Sequence, residues 1–249
     1  MADRIKVSAV SYVNSYPFIF GLRNHPVKEQ IELYLDTPAA CARKLMDGEV
    51  DLGLVPVAVL PSVENAHIVS DRCIGADGAV ESVCLFSDVP LEKIERVLLD
   101  YQSRTSVQLV RILAERLWNI EPEWVNGSEE FITQIGGTTA GVVIGDRAFS
   151  LREKFDVVRD LSEDWKTLTG LPFVFACWVS RKELDQRFIG EFRSALELGL
   201  QNKEQSIKEM TTTDVDDMVR YVNEVISYDL SPKKKEAMKL FLDWSSMAT

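Results

Sequence analysis

A cluster of small polar side chains directly follows the first predicted strand of this chain. After the apolar, β-branched run of residues 5–10 come Ser11, Tyr12, Asn14 and Ser15, and then a helix-like pattern. Open α/β sheets bind ligands at the edge where their strands end, and the unpaired N–H groups of a helix start favour anions. The cluster therefore predicts half of a site for a small anion. Capping of the helix is the alternative, and it is the simpler explanation of this segment taken alone.

A second cluster has the same placement and adds a positive charge. Shortly after the apolar strand at residues 96–99 come Ser103, Arg104, Thr105 and Ser106. A carboxylate bound there would accept charge-assisted hydrogen bonds from Arg104 and further bonds from the helix start. Capping by Ser103 accounts for one of these residues and not for all four, so anion binding and capping both remain open. Together the two clusters suit a small ligand with two anionic groups.

Asp146 is a third candidate, because it follows the strand at residues 140–144 at the same predicted edge. It would orient a ligand hydroxyl or a partner side chain, and capping of the helix from Arg147 onward is an equal alternative. The two histidines, His25 and His67, lie outside the polar turns. Motifs of serine hydrolases, zinc proteases, phosphate loops and dinucleotide sites are absent, and no metal ligands have a usable spacing. The predicted site thus has neither a metal nor a histidine base.

Composition narrows the class of protein. The chain has 249 residues, of which 46% are hydrophobic and 27% charged, as in a globular protein with one large domain or two lobes. Its formal net charge of −11 argues against a nucleic-acid partner, because phosphate binding requires a basic surface. The chain shows no secretory segment and no window apolar enough to span a bilayer, so we expect a cytoplasmic protein without membrane insertion. Its four cysteines lack a CxxC spacing and are expected to be buried apolar residues.

The elements that must hold these side chains alternate as in a doubly wound sheet. Residues 5–55 predict strand, helix, strand, helix and strand, and residues 96–158 predict a second α/β unit. Two extended segments, within residues 67–87 and 173–179, would cross between the units, and the chain is helical after Arg181. This order predicts two α/β lobes joined by crossing strands.

The predicted fold is α/β, a two-lobed clamshell of the periplasmic-binding-protein type (type II) with C-terminal helices packed on the first lobe. Residues 1–86 form the first part of lobe I, residues 87–178 form lobe II, and residues 179–249 form the helical C-terminal part of lobe I. The two polar clusters belong to different lobes and would face each other across the cleft, where the ligand of such a fold binds.

Six segments, in order along the chain, are similar to the successive motifs of a known family. They are residues 11–17 (SYVNSYP), 53–58 (GLVPVA), 82–87 (SVCLFS), 103–106 (SRTS), 144–146 (IGD) and 169–176 (TGLPFVFA). As a set they resemble the MqnA family, the chorismate dehydratases that open the futalosine route to menaquinone. The resemblance runs from the first strand to about Trp178. Val13 and Ser15 stand where the family more often has leucine and threonine, and both keep the character of the side chain.

The resemblance implies a carbon–oxygen lyase that works in the cytoplasm without a cofactor. Chorismate, a dicarboxylate, would lose its ring hydroxyl as water, together with the proton on the neighbouring carbon that carries the enolpyruvyl ether. The product would be 3-[(1-carboxyvinyl)oxy]benzoate. By the same resemblance, Asn14 would bond the leaving hydroxyl as donor or acceptor, with Ser82 as its partner from the crossing strand. We hypothesise that a carboxylate of the substrate accepts the proton, because few titratable side chains are predicted near the site.

Further substrate contacts are implied in the same way. One carboxylate would be bound by Ser103, Arg104, Thr105 and Ser106, with Ser11 and Tyr12 opposite. Phe173 and Trp178 would line an apolar wall, although packing in the core is the expected role of at least one of them. Two alternatives remain: a non-catalytic cytoplasmic binding protein for a small carboxylate, and the related later-pathway naphthoate synthase, against which Asn14 argues. The oligomeric state is not predicted.

Overall fold

The chain folds into two compact units in a computed structural model that describes residues 4–212 and 214–247. The first unit consists of the chain up to Ile74 and of Ala176–Leu230, and the second consists of Gly75–Phe175 and the chain from Ser231 on. Each unit is organised around a sheet of its own, so the predicted α/β class is confirmed. Within the described part of the chain, no helix combines the length and the apolarity needed to cross a bilayer.

Strands and helices alternate through most of the chain. The strands are β1 (Ile5–Val10), β2 (Ile31–Asp36), β3 (Leu52–Pro56), β4 (His67–Ala76), β5 (Val83–Ser87), β6 (Arg96–Leu99), β7 (Glu123–Asn126), β8 (Thr139–Ile144), β9 (Val157–Asp160), β10 (Phe173–Ser180) and β11 (Ser227–Asp229). The helices are α1 (Tyr16–Asn24), α2 (Pro38–Met46), α3 (Thr105–Leu113), α4 (Leu161–Thr169), α5 (Gln186–Gln201), α6 (Lys203–Met210), α7 (Val215–Arg220) and α8 (Pro232–Met247). Short 3-10 segments follow β1, β3 and β8 at Val13–Ser15, Val57–Ser62 and Gly145–Leu151.

The first unit has a sheet with the strand order β11-β4-β10-β3-β1-β2. β1 runs parallel to β2 and β3, whereas β10 pairs antiparallel with β3. All of β3 and the last four residues of β1 are buried, as in parallel sheets that are covered on both faces. Because Val10 lies opposite Asp36, β1 and β2 end at the same edge, and the first polar cluster begins there.

Helices of both units begin at capping side chains. Thr37 Oγ1 accepts a hydrogen bond from Ala40 N at 3.4 Å and caps α2. Asp185 Oδ1 accepts bonds from the first-turn N–H groups of α5. Asp160 does the same for α4, which ends at Gly170 with the left-handed φ of 73°. These caps satisfy N–H groups that a helix start leaves unpaired, so they explain why the helices begin where they do.

Two glycines bring α1 and α5 unusually close together. A Cβ atom on Gly199 would lie 1.8 Å from the carbonyl oxygen of Pro17, and one on Gly21 would lie 1.9 Å from that of Ala195. Side chains at these positions are therefore excluded by main-chain atoms rather than by flexible groups. The contact fixes α1 against α5, and with it the 3-10 segment that directly precedes α1.

The second unit has a sheet with the strand order β7-β6-β8-β5-β9. β6 runs parallel to β7 and β8, whereas β5 pairs antiparallel with β8 and β9. The carboxyl ends of β6, β8 and β9 therefore meet the amino end of β5 at one edge. Below that edge lies an apolar core that includes Phe86, Leu98, Phe131 and Val143.

The last helix differs from the prediction that all C-terminal helices pack on the first lobe. α5 and α6 do pack on α1, but α8 belongs to the second unit. The rings of Phe241 and Trp244 in α8 lie 6.2 and 5.5 Å from the ring of Trp165 in α4, measured between ring centres. Apolar periodicity shows that a helix has a buried face but not which elements cover that face, so the prediction for α8 is wrong.

The unit boundaries also differ from the predicted ones. They fall within β4, after Ile74, and within β10, after Phe175, whereas the sequence suggested residues 86 and 178. β5 lies in the second unit because it is paired on both sides by strands of that unit. The extended character of residues 67–87 indicated strands and could not show where one sheet gives way to the next.

Candidate functional site

The first polar cluster is a tight turn at the carboxyl edge of the first unit's sheet. Ser11 N donates to the carbonyl oxygen of Asp36 at 3.0 Å, and Ser11 Oγ lies 3.3 Å from the same oxygen. Tyr12 is half-buried, and its carbonyl oxygen accepts a hydrogen bond from Ser15 N at 2.8 Å. The turn is thus bonded both to the neighbouring strand and within itself.

Asn14 lies in the middle of this turn, half-exposed, with its orientation set by two hydroxyl groups. Ser15 Oγ donates to Asn14 Oδ1 at 3.0 Å, and the hydroxyl of Tyr228 donates to the main-chain oxygen of Asn14 at 2.9 Å. The side-chain nitrogen, Nδ2, forms no hydrogen bond with any residue that the structure describes. Asn14 therefore offers an amide donor to a bound molecule.

Asp36 connects the strands below the turn. Its carboxylate accepts a hydrogen bond from Ser8 Oγ at 2.7 Å and contacts Lys44 Nζ at 2.7 and 2.8 Å. The Lys44 and Asp36 side chains are 20% and 13% exposed, so the pair is partly shielded from water and attracts more strongly than a surface pair. Ser8 Oγ also lies 3.0 Å from Cys41 Sγ, whose pKa is raised to about 12 by burial.

Three chain segments meet at one edge of the second unit's sheet. Val83 lies opposite Ile144, so β5 begins where β8 ends. The carbonyl oxygen of Ser82 accepts a hydrogen bond from Gly145 N at 2.8 Å. Asp100, directly after β6, accepts one from Ile144 N at 2.9 Å. Ser82, the start of the segment after β8 and the loop after β6 are therefore neighbours.

Asp100 is a buried carboxylate that shapes this loop. Its Oδ1 accepts a hydrogen bond from Gln102 N at 3.0 Å, and its Oδ2 accepts one from Arg147 Nη2 at 2.6 Å. The side chain of Asp100 is 0% exposed and that of Arg147 is 29% exposed. The Arg147 guanidinium also lies 5.7 Å from the centre of the Tyr101 ring. Arg147 therefore compensates the buried charge of Asp100 while part of its guanidinium reaches the surface.

The second polar cluster divides into buried hydroxyls and one exposed cation. Ser103 Oγ accepts a hydrogen bond from Ser106 N at 3.0 Å and so caps the start of α3. Thr105 Oγ1 donates to the carbonyl oxygen of Phe175 at 3.2 Å. Arg104 is exposed, and its guanidinium forms no hydrogen bond or ion pair with the residues described. The hydroxyls thus hold the helix start, and Arg104 beside it is free to bind an anion.

Ser82 is 1% exposed and follows a strained turn. Glu81 has the left-handed φ of 62°, which costs energy in a residue other than glycine. Asp160 holds this turn, because its Oδ2 accepts hydrogen bonds from Val80 N at 3.0 Å and from Glu81 N at 2.7 Å. Burial raises the pKa of Asp160, and these N–H bonds oppose the rise. Burial, together with the charge of Asp160, also raises the pKa of Cys84.

The remaining candidates have different surroundings. Asp146 is half-buried in the first turn of the 3-10 segment after β8. Phe173 is 1% exposed and packs edge-on against Trp165 in the second unit, with 5.2 Å between ring centres. Trp178 is 0% exposed and packs against Phe192 in the first unit, at 5.1 Å. Phe173 and Trp178 are thus each packed in a core, which is the role expected for at least one of them.

Several organising residues were not among the sequence candidates. Asp36 ends β2, Asp100 directly follows β6, and Asp160 ends β9. All three share a signal that the sequence does contain, an aspartate at the carboxyl end of an apolar strand. Tyr228 gives no such signal, because 214 positions separate it from Asn14.

The amino-acid sequence matches a known protein family and two named relatives. Residues 5–246 match the sequence model of a family described as "Menaquinone biosynthesis". A Thermus thermophilus protein named chorismate dehydratase is 32% identical over 166 residues, which cover 59% of this chain and 60% of that protein. A Campylobacter jejuni protein of the same name is 27% identical over 248 residues, covering 94% of each chain. The match therefore spans less than two thirds of the first relative and nearly all of the second.

A solved structure identifies the fold. A Candida albicans protein described as having the generic periplasmic-binding-protein fold superposes with a TM-score of 0.67, over 98% of this chain and 90% of that one. The sequence identity is 13%, so the likeness concerns the fold alone. The predicted periplasmic-binding-protein type is thereby confirmed.

Proposed function

The chain belongs to the menaquinone biosynthesis family, and we propose that it is a chorismate dehydratase, a carbon–oxygen lyase that removes water from chorismate. The observation that carries the proposal is the match to relatives named chorismate dehydratase, one of them aligned over 94% of both chains. The family match at residues 5–246 includes both polar clusters. The substrate is a small dicarboxylate, and the product is 3-[(1-carboxyvinyl)oxy]benzoate.

The reaction is an elimination across two neighbouring ring carbons. The C–H bond on the ring carbon that carries the enolpyruvyl ether breaks, and its electron pair forms the third double bond of the ring. The C–O bond to the ring hydroxyl breaks, and the hydroxyl leaves as water after it takes up the proton that the base removed from the C–H bond. Because the ring becomes aromatic, a weak base held close to the C–H bond is sufficient. We assign that base to a carboxylate of the substrate.

Asn14 stabilises the leaving oxygen by donating from Nδ2. This role is supported by its hydrogen bonds, because Ser15 Oγ occupies Asn14 Oδ1 and leaves the nitrogen as the unpaired polar atom of the amide. Negative charge grows on the oxygen as the C–O bond breaks. A preorganised donor at such an atom lowers the barrier by about 3 kcal/mol.

Arg104 and the start of α3 bind one carboxylate of the substrate. Arg104 is exposed, while Ser103 Oγ and the Thr105 hydroxyl are engaged in holding the helix start. A guanidinium beside a helix N-terminus attracts an anion both by its charge and by the helix dipole. Ser82 belongs to the reacting region, and further substrate contacts are Ser11, Tyr12 and Asp146.

A single assay tests this function. The purified chain is mixed with chorismate, without added metal or nucleotide, and the products are separated by chromatography and identified by mass. We expect a species one water lighter than chorismate, with aromatic absorbance, that does not form without the protein.

Two other outcomes would contradict the proposal. Intact chorismate together with a raised melting temperature of the protein would indicate a binding protein without catalysis. Conversion of a naphthoate precursor with no loss of chorismate would indicate the later enzyme of the same pathway. The names of both relatives favour the dehydratase over these alternatives.

A further inference from the structure

The backbone of Asn14 depends on a residue from the far end of the first unit. Asn14 lies in the 3-10 segment Val13–Ser15, which is three residues long. The hydroxyl of Tyr228, in β11, donates to the carbonyl oxygen of Asn14 at 2.9 Å. Tyr228 is 5% exposed, so water does not compete freely for this bond. The bond therefore ties a short segment to a strand residue that lies 214 positions further along the chain.

Tyr228 is itself held in place from several directions. Its ring packs edge-on against Phe18 of α1, with 5.3 Å between ring centres, and Lys203 Nζ lies 5.2 Å from the ring centre. The chain just after β11 is tied to β4 by a hydrogen bond from Leu230 N to the carbonyl oxygen of Asp71 at 2.8 Å. The phenol thus has its position set before any ligand binds.

The hydroxyl of Tyr228 acts as a permanent donor. Burial raises its pKa well above the ordinary value, so the group keeps its proton across the physiological pH range. Tyr228 and Ser15 hold different parts of Asn14. Ser15 Oγ sets the side-chain amide through Oδ1, and Tyr228 sets the main chain on which that amide stands.

We propose that Tyr228 is a positioning residue for the dehydration, holding Asn14 so that Nδ2 is aimed at the leaving oxygen before chorismate arrives. The inference rests on the proposed function and on the role given there to Asn14. Tyr228 does not touch the substrate. Its contribution is to the rate of the chemical step, because a donor displaced by about 1 Å can lose about a hundredfold in rate.

Tyr228→Phe tests this inference, because it removes only the hydroxyl and keeps the ring between Phe18 and Lys203. We expect kcat to fall at least about tenfold, with KM within about twofold of the wild type. Circular dichroism and a thermal melt establish that the variant is folded. Tyr34→Phe is the matched control, since the Tyr34 hydroxyl bonds Glu32 in β2 and not Asn14, and kcat should not change.

A double-mutant cycle separates positioning from general destabilisation. If Tyr228 acts through Asn14, adding Tyr228→Phe to Asn14→Ala should lower kcat little further. Full additivity of the two effects, a kcat of Tyr228→Phe within twofold of the wild type, or a rise in KM without a fall in kcat would overturn the inference. The wild type is assayed in parallel. If it does not convert chorismate, the proposed function fails, and this inference fails with it. If the wild type is active and Tyr228→Phe equals it, only the inference is overturned.

Discussion

Aspartates at strand ends organise both polar clusters. Asp36 bonds the turn after β1 through its carbonyl oxygen, and its carboxylate bonds Ser8 and Lys44. Asp100 and Asp160 use their carboxylates to hold main-chain N–H groups in the second unit. A carboxylate at such a position accepts several N–H bonds at once and so holds the loop that follows the strand. The candidate site residues are thus held by carboxylates that are not themselves among the candidates.

The donor role of Asn14 predicts a large effect from an isosteric change. Asn14→Asp replaces Nδ2 with an oxygen that cannot donate and that repels a dicarboxylate substrate. We expect kcat to fall about 10²–10³-fold with an unchanged melting temperature, measured by steady-state kinetics. Asn223→Asp makes the same change at an exposed position of the same unit and should leave kcat as it is. Retention of more than half the wild-type kcat by Asn14→Asp would contradict the role.

The free guanidinium of Arg104 predicts an effect on binding rather than on folding. Arg104→Gln removes a charge-assisted bond to the substrate carboxylate, so KM for chorismate should rise about ten- to a hundredfold. The melting temperature should stay the same, because Arg104 is exposed and bonds no described residue. Arg23→Gln removes an exposed charge from α1 in the other unit and serves as the control. Equal KM values for the two variants would remove Arg104 from the site.

The close contact of α1 and α5 supports the turn that holds Asn14. Pro17 is the second residue of α1, directly after the turn that holds Asn14, and its carbonyl oxygen faces Gly199. Any movement of α1 away from α5 therefore moves the turn as well. Helix packing therefore acts together with the hydrogen bonds from Ser15 and Tyr228 in holding the turn at Asn14.

Two glycines of the same helix provide the test of this contact. In Gly199→Ala the new Cβ would lie 1.8 Å from a main-chain oxygen, so α1 and α5 must separate. We expect a loss of about 3 kcal/mol or more in the free energy of unfolding. Gly190→Ala, with nothing within 4 Å of the new Cβ, should gain about 0.5–1 kcal/mol from helix propensity. Urea unfolding followed by circular dichroism measures both, and equal stabilities would contradict the packing account.

Local sequence patterns predicted the strands and helix caps better than they predicted which elements pack together. The strands at β1, β6 and β8 and the cap at Thr37 follow from alternation, apolar runs and capping residues that act over a few positions. These patterns did not predict the unit to which α8 belongs. An apolar helix face can pack on either unit, and the contacts with Trp165 that place α8 in the second unit are not visible in the sequence pattern. Local signals record the environment of a side chain, and they do not record which partner provides it.

The whole molecule keeps its cysteines out of contact with solvent. Cys41, Cys73, Cys84 and Cys177 are all buried thiols that form no disulfide, and burial raises the pKa of Cys41 to about 12. At pH 8 that thiol is protonated and shielded, so the native protein should not react with a thiol reagent such as dithionitrobenzoate. After denaturation in guanidinium, four thiols should react. Rapid reaction of the native protein would show that one of the units opens readily.

Contacts across the length of the chain set the limit of prediction from sequence. The two polar clusters could be found because strand-end polar turns are short motifs. The hydrogen bond between Tyr228 and Asn14 joins residues that are 214 positions apart, and no short motif around either residue predicts it. Phe173 and Trp178 stand in one apolar strand, and the sequence could not tell a cavity wall from the two cores in which they lie. Contacts between residues far apart in the sequence form only when the chain folds, so the structure is needed to identify them.

We propose that this chain eliminates water across two neighbouring ring carbons of chorismate. Chorismate that carries deuterium on the carbon bearing the enolpyruvyl ether tests this reaction, with the product analysed by mass after incubation with the wild-type protein. The predicted result is an aromatic product that has lost both the ring hydroxyl and all of the deuterium. A product that keeps the deuterium, an isomer with the mass of chorismate, or release of pyruvate would contradict it.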